Sequence, residues 1–344
     1  MTGHFGFPLE AILIFFAVVA ISVYLDLFVH QRSTEISLRD AIRWSLIWVG
    51  LALAFYAYLW VRFSPEWADL YLAGYALEKS LSLDNLIVFM AIFSSFAIRS
   101  GLQHRILYYG IIGALIFRAI FVAIGAGLFL ASPWIGFVFA AFVIWSAIKM
   151  IQQSGDADDE ITDYSQHWSV RLTGKFLPVY TRLYRNRFFV RHHQIAAGDG
   201  IAANVTRQGL LYATPAFLCL MAIETSDIAF AFDSVPAVIA VTQEPLLIYA
   251  AMIFAILGLR SLYFVLAALT RYLVHLEKAV ICLLFFIGAK MLLQSWNHAV
   301  ADTGFHISSG WSLIIILGML VAGVVASFLF PAKKAELSDP PPST

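Results

Sequence analysis

Apolar residues in this chain come in largely apolar blocks of about twenty or more, most of them separated by short polar stretches. Blocks of that length suit a bilayer core, about 30 Å thick at roughly 1.5 Å per helical residue. A window of about 19 residues predicts nine transmembrane helices, at roughly 8–29, 41–61, 70–98, 106–130, 132–151, 210–243, 246–270, 277–295 and 311–330. The connections are short except for 152–209. Residues 8–29 lack a basic n-region and a small-x-small cleavage site, so they read as a retained span and not as a signal peptide. The predicted fold is an all-α polytopic membrane protein.

Composition agrees with the pattern. The chain is 61% hydrophobic and 13% charged, against about 45–50% and about 25% for a soluble domain. No nucleic-acid partner is expected. Cys219 and Cys282 lie in apolar runs without a CxxC or Cys/His cluster, which disfavours thiolate metal sites and implies no disulfide framework. The basic residues set the orientation. Arg32, Arg39 and Arg43, then Arg99 and Arg105, then Lys149 and the Arg/Lys of 171–207, then Arg271 and Lys278, and finally Lys333 and Lys334 fall on one side. Only Arg62 falls clearly on the other. The positive-inside rule then places the N-terminus outside and the C-terminus in the cytoplasm.

The cytoplasmic insert 152–209 opens with Asp156, Asp158, Asp159, Glu160 and Asp163, read as a solvated loop ahead of a metal-gathering mouth. The basic amphipathic stretch 170–191 is expected to lie on the inner membrane surface, Arg heads toward anionic lipid. HHQIAAGDG (192–200) reads as a polar turn, and AELSDPPPST as a disordered tail.

Three features recur in the same order. A carboxylate is followed six residues later by Asp and a small polar residue, as Glu78…Asp84-Asn85 and Asp227…Asp233-Ser234. An arginine sits inside the next span, Arg118 and Arg260. The span after that ends in SAIKMIQQS or IGAKMLLQS, with Lys149 31 residues after Arg118 and Lys290 30 residues after Arg260. Residues 70–151 and 210–295 thus read as two copies of a three-helix unit. An odd number of spans forces the copies into opposite orientations, the inverted repeat of secondary transporters. Spans 1 and 2 (1–69) and span 9 with the tail (296–344) are additions to that core.

The acids carry the chemistry. An ionised carboxylate at bilayer depth costs about 2.5 kcal/mol or more, yet the block 210–243 holds Glu224, Asp227 and Asp233 and no basic residue. A visiting cation supplies the reason. At about 100° per residue Glu224 and Asp227 share a face, while Asp233 lies opposite Glu224; Glu78 and Asp84 are about 9 Å apart along the axis. Either two sites lie along a path, or the helices are broken between the acids. Pro236 favours a break, since it leaves the Phe232 carbonyl without its helical partner, and Gly74 is a further weak point. The candidate ligands are Asp26, Glu78, Asp84, Asn85, Glu224, Asp227, Asp233 and Ser234. This all-oxygen set suits Mg²⁺, Ca²⁺ or Mn²⁺ as substrate, with no resident cofactor. Arg118 and Arg260 are candidate counter-ions and gates, or else a structural ion pair. Asp26, with His30 one turn on, reads equally as a waystation or as interfacial polarity. Lys79 either snorkels away or neutralises a neighbour; Lys149 and Lys290 read as interfacial anchors.

ALEKSLSLDNLIVF (76–89), HRILYYGIIGALIFRAIF (104–121) and ETSDIAFAFDSVPAVIAVT (224–242) together resemble the TerC family of integral membrane proteins, also called Alx-like. The resemblance covers the chain from span 1 to span 9. It implies membership of the LysE-type transporter superfamily and a bacterial inner-membrane exporter of manganese active in metal and alkaline-pH homeostasis. It also implies that Asp26, Glu78, Asp84, Glu224, Asp227 and Asp233 are the acidic signature. The expected function is secondary export of a divalent cation, Mn²⁺ first, in exchange for protons. Transport of Ca²⁺, or of Na⁺ against H⁺, is one alternative; a non-transporting scaffold or pH-stress sensor in a tellurium-resistance complex is another. No enzyme is expected, since GxSxG, HExxH and GxGD are missing from the spans. The partners expected are the metal and membrane lipid, with a homo-oligomer left open.

Overall fold

A computed structural model describes residues 9–28, 37–132, 134–155, 164–184, 187–192, 210–269, 275–300 and 306–330. The acidic cluster 156–163, His30, residues 193–209, Arg271 and the tail after 330 lie outside the described residues. In chain order the helices are α1 (Leu9–Phe28), α2 (Leu38–Arg62), α3 (Pro65–Ser95), α4 (Ser100–Ala131), α5 (Ile135–Gly155) and α6 (Trp168–Phe176), followed by α7 (Pro215–Thr242), α8 (Pro245–Ile256), α9 (Leu259–Leu269), α10 (Leu276–Ala299) and α11 (Ser309–Leu329).

Their starts follow from local chemistry. Ser37, Ser64 and Ser308 are N-caps whose hydroxyls accept from Asp40, Trp67 and Trp311 N–H at 3.2, 3.2 and 3.4 Å. Pro65, Pro215 and Pro245 stand at first helical positions, where no N–H is needed.

Helices occupy all nine predicted positions, but not all as simple spans. Among the described residues five helices are long and apolar enough to cross a membrane, within α2, α4, α5, α7 and α11, or six when the bent pair α8–α9 counts as one. The 31-residue α3 and 24-residue α10 have the length but carry charges along it. Two expectations are corrected. The predicted span 246–270 is two helices meeting at 50°, with Gly258 at φ 77° in the turn. The expected break at Pro236 does not occur: α7 runs unbroken through it. A proline removes one helical hydrogen bond, and tight packing on both sides (residues 234–242 are all buried) holds the helix together. Gly74 does not weaken α3 either. Its missing side chain admits α7 and α8, since a Cβ there would stand 3.2 Å from Thr242 Cγ2 and Ala251 Cβ.

The insert is not purely helical. The stretch 170–191 expected as one amphipathic unit is α6, an extended segment beginning near Pro178, and strand β1 (Phe189–Arg191). β1 pairs antiparallel with β2 (Leu211–Ala213), Val190 opposite Tyr212. The residues at 211–213, expected at the start of a span, therefore belong to this hairpin.

Around the centre α3 packs on α7, α5 along α10, α4 on α7 and α3 on α8; α2 and α11 cover α3 from outside. The buried apolar residues form two large clusters; α3, α4, α7 and α8 contribute to both, α5 and α10 to one. On α3 one cluster ends at Leu81 and the other starts at Leu86; on α7 one ends at Ile223 and the other starts at Ala231. On α4 the clusters are represented by residues up to Ile111 and from Val122 on.

Candidate functional site

Where those two clusters meet lies a polar layer. It contains Glu78, Ser80, Ser82, Asp84 and Asn85 of α3, Arg118 of α4, and Glu224, Ser226, Asp227, Asp233 and Ser234 of α7. Arg260 sits in the first turn of α9, immediately after the α8–α9 turn, and is buried. Each of these segments falls near the middle of its helix or broken helix, the depth at which water is scarcest.

The innermost part is built on Arg118. It is 2% exposed, and Glu78 and Asp227 are 0% and 4% exposed, so their charges are not screened by solvent. Arg118 Nη1 pairs with Glu78 Oε1. Nη2 donates to Asp227 Oδ1 at 3.0 Å and Nε to Oδ2 at 3.4 Å, the two-pronged geometry that a guanidinium favours. Nη1 also donates to Ser234 Oγ at 3.4 Å. With the Asn85 amide oriented by its hydrogen bonds, its oxygen accepts from Nη2 at 3.3 Å while its nitrogen donates to the Leu81 carbonyl at 3.1 Å. One guanidinium thus ties both acidic helices together. Two carboxylates and one cation leave the hub with a formal charge of −1.

Beside the hub opens a cavity of about 600 Å³. α3 contributes Asp84 and Asn85, α5 Ser146 and Lys149, α7 Asp233 and Ser234, and α10 Glu277. Asn85 and Ser234 belong to both places, lining the cavity and bonding Arg118. Asp233 accepts from Ser146 and faces Lys149; Asp84 faces Glu277. Several oxygens of the layer, Asp84 Oδ2, Ser80 Oγ, Ser82 Oγ and Glu224 Oε2, are buried with no hydrogen-bond partner among the described residues. Glu224 stands apart. Its carboxylate fills the space that a side chain on Gly113 of α4 would take.

The predicted set is therefore divided three ways: Glu78, Asp227, Asn85 and Ser234 around Arg118; Asp84 and Asp233 on the cavity; and Glu224 against α4. The side chain of Asp26 lies outside the described residues. Among the described residues no three His, Cys, Asp or Glu converge closely enough to hold a metal ion. The helices are not broken between the acids: α3 and α7 each run continuously through theirs. Lys290, expected at the interface, is buried at 3% exposure, whereas Lys149 is exposed and rests on the Trp145 ring at 5.5 Å.

One residue escaped the sequence reading, and another has a role it did not foresee. Glu277 opens α10 and reads as the polar end of a span; nothing in the sequence shows that α10 turns it toward Asp84. Lys79 does not snorkel. Its Nζ donates to the carbonyls of Ala255 and Leu257 at 3.0 and 3.3 Å, the groups released where α8 stops. The signal for it was a lysine in the middle of a span beside a carboxylate, with a glycine interrupting another span.

The model of the family described as "Integral membrane protein TerC family" matches residues 63–334. This chain belongs to the TerC family. It is similar to a protein named "Tellurium resistance protein TerC" from Serratia marcescens, 48% identical over 339 residues and covering 97% of each chain. A protein of the same name from an Alcaligenes species is 47% identical over 339 residues, again 97% of each. A "Putative membrane-bound redox modulator Alx" from Escherichia coli K12 is 34% identical over 322 residues, 89% of this chain and 90% of that one. No solved structure matches. The TerC match runs from the end of α2 to just beyond α11, so the Arg118 hub, the cavity and the α8–α9 turn all lie inside the family region.

Proposed function

We propose that this TerC protein is a secondary transporter that exports divalent cations, Mn²⁺ foremost, across the bacterial inner membrane in exchange for protons. One observation carries the reading: Asp84, Asp233 and Glu277 from three helices face a single cavity whose inner wall, Asn85 and Ser234, is also bonded to Arg118. Carboxylates kept at mid-helix depth are expensive unless a cation visits them, and oxygen ligands favour hard divalent ions. In this scheme the cation enters against Asp84 and Asp233. Its charge weakens the hold of Glu78 and Asp227 on Arg118, whose guanidinium is the resident counter-cation while the path is empty. Protons arriving at the carboxylates release the metal and restore the starting state.

The helix packing supports an inverted repeat. α3 on α7 and α5 along α10 are each self-matching under an exchange of halves, and α4 on α7 is answered by α3 on α8. A two-fold axis relating α3–α5 to α7–α10 would produce those pairs. The same exchange maps Glu78, Asp84 and Asn85 onto Asp227, Asp233 and Ser234. The excess of Arg and Lys on one side supports an outside N-terminus and a cytoplasmic C-terminus.

The test is Mn²⁺ uptake into inverted membrane vesicles bearing the parent, Asp84→Asn or Asp233→Asn at equal protein levels. Loss of uptake in both variants is expected, together with dependence on an imposed pH gradient. Competition by Ca²⁺ or Na⁺ at lower concentration than Mn²⁺ would reassign the substrate. Uptake equal to the parent in both variants would remove the acids from transport and favour a scaffold or sensor.

A further inference from the structure

The cytoplasmic insert presents a surface that the transport scheme leaves unused. On α6 the residues Trp168, Leu172 and Phe176 recur every four positions and so share one face. They are 60%, 45% and 74% exposed. The opposite face is the one that packs: Ser169 is buried, and Val170 lies against the apolar cluster shared by α3, α4, α7 and α9. α6 is therefore docked with its large apolar side chains outward, the reverse of a water-facing helix.

Its position is held from several directions. Tyr164 N–H donates to Ser95 Oγ at the end of α3, at 3.2 Å. Thr214 Oγ1, just before α7, donates to the Arg187 carbonyl at 2.7 Å. Phe188 lies under Arg105 at 5.1 Å and against Tyr109 at 5.2 Å, both near the start of α4. Phe189 packs tilted against Phe217 of α7, ring centroids 4.4 Å apart. The insert is thereby fixed where α3, α4 and α7 leave the bilayer.

Arg171 and Lys175 flank the apolar stripe on α6, and Arg182, Arg187 and Arg191 in the following segment are exposed as well. Between residues 164 and 192 the sequence contains no Asp or Glu. A cationic surface with an aromatic and aliphatic stripe, held at the membrane boundary, complements one partner in particular: the anionic face of the bilayer, with acyl chains below and phosphates above. We propose that this face of the insert docks on anionic phospholipid. Trp168, Leu172 and Phe176 enter the headgroup region and the basic residues bind lipid phosphates.

The test uses the full chain in vesicles, with Cys219→Ser and Cys282→Ser, a spin label at Leu172→Cys, and collision with oxygen or a water-soluble nickel chelate as readout. In vesicles containing phosphatidylglycerol the label is expected to be reached by oxygen and shielded from nickel. In pure phosphatidylcholine, or with Arg171→Gln, Lys175→Gln and Arg187→Gln combined, nickel access should rise severalfold, as it should at high salt. Nickel access in phosphatidylglycerol equal to that of a soluble label would overturn the proposal. So would a label shielded from both reagents, which marks a protein contact instead. Should the cysteine background not fold, the parent and Trp168→Phe can be compared for fluorescence quenching by brominated phosphatidylglycerol. The substitution must remove part of the quenching; identical quenching in the two proteins refutes lipid contact at α6.

Discussion

Arg118→Met isolates what the buried hub contributes. In the parent one guanidinium serves Glu78 and Asp227, and all three are at most 4% exposed. Removing the arginine leaves two carboxylates in a water-poor layer. Breaking a buried pair from one side costs about 3–5 kcal/mol, most of it the uncompensated charge. Ser234 and Asn85 lose a donor as well, a smaller effect because both are neutral acceptors. The cost corresponds to a fall in melting temperature on the order of 10 °C for a chain of this size. The same reasoning requires a rescue. Arg118→Met combined with Glu78→Gln and Asp227→Asn places no charge in the layer, and neutral replacements of a buried ionic group are often tolerated. The triple variant should therefore melt well above the single one, although it should not transport. Thermal melting followed by fluorescence-detected size exclusion in mild detergent measures all three proteins side by side. A single variant that melts within about 2 °C of the parent, or a triple variant less stable than the single, would show that the hub is not a mutually compensating unit.

Three further outcomes follow from the geometry. Lys79→Met strips the donor from the Ala255 and Leu257 carbonyls and should cost about 1–3 kcal/mol per orphaned group; Lys79→Arg should restore most of it in the same melting assay, and equal loss in both variants would refute the capping role. Gly258→Ala meets two faults, a left-handed φ of 77° and the Trp48 indole where the Cβ would stand; together these should cost about 2–5 kcal/mol, and parental stability would mean that the turn is not held in this form. Burial holds the His167 imidazole below its ordinary value, so below about pH 6.5 the unfolded segment binds more protons than the folded one. The stability this lends the insert is present at neutral pH and lost as pH falls. The emission of Trp168, whose ring centroid lies 5.5 Å from His167, should stay level from pH 7.5 to 6.5, change below that, and become flat in His167→Gln; a transition centred above pH 6.5 would reverse the sign and contradict the burial argument.

Much of the fold could be read in one dimension because hydropathy is tested against a slab of nearly constant thickness. Largely apolar blocks of about twenty residues or more marked the position of each span, though not the break between α8 and α9, and the repeated Glu78…Asp84-Asn85 and Asp227…Asp233-Ser234 marked residues of the polar layer. What misled was local. Pro236 carries the strongest breaking tendency in α7, yet the helix continues, because that stretch is buried on all sides. Gly258 is the residue that does interrupt a span, since there the chain turns through a left-handed φ and Lys79 caps the freed carbonyls.

By itself the sequence determined that this is a helical membrane protein and which polar residues lie at mid-helix depth, for those follow from the order of residues and the thickness of the bilayer. Only the tertiary structure decided which acids act together. Glu78 and Asp84 stand on one helix but point in different directions, and Glu224 and Asp227 share a helix face yet meet different neighbours. Asp227 is joined to Glu78 by an arginine from α4, and Asp84 is set facing a glutamate from α10. A carboxylate's surroundings come from helices distant in sequence, and no pattern along a single helix encodes them.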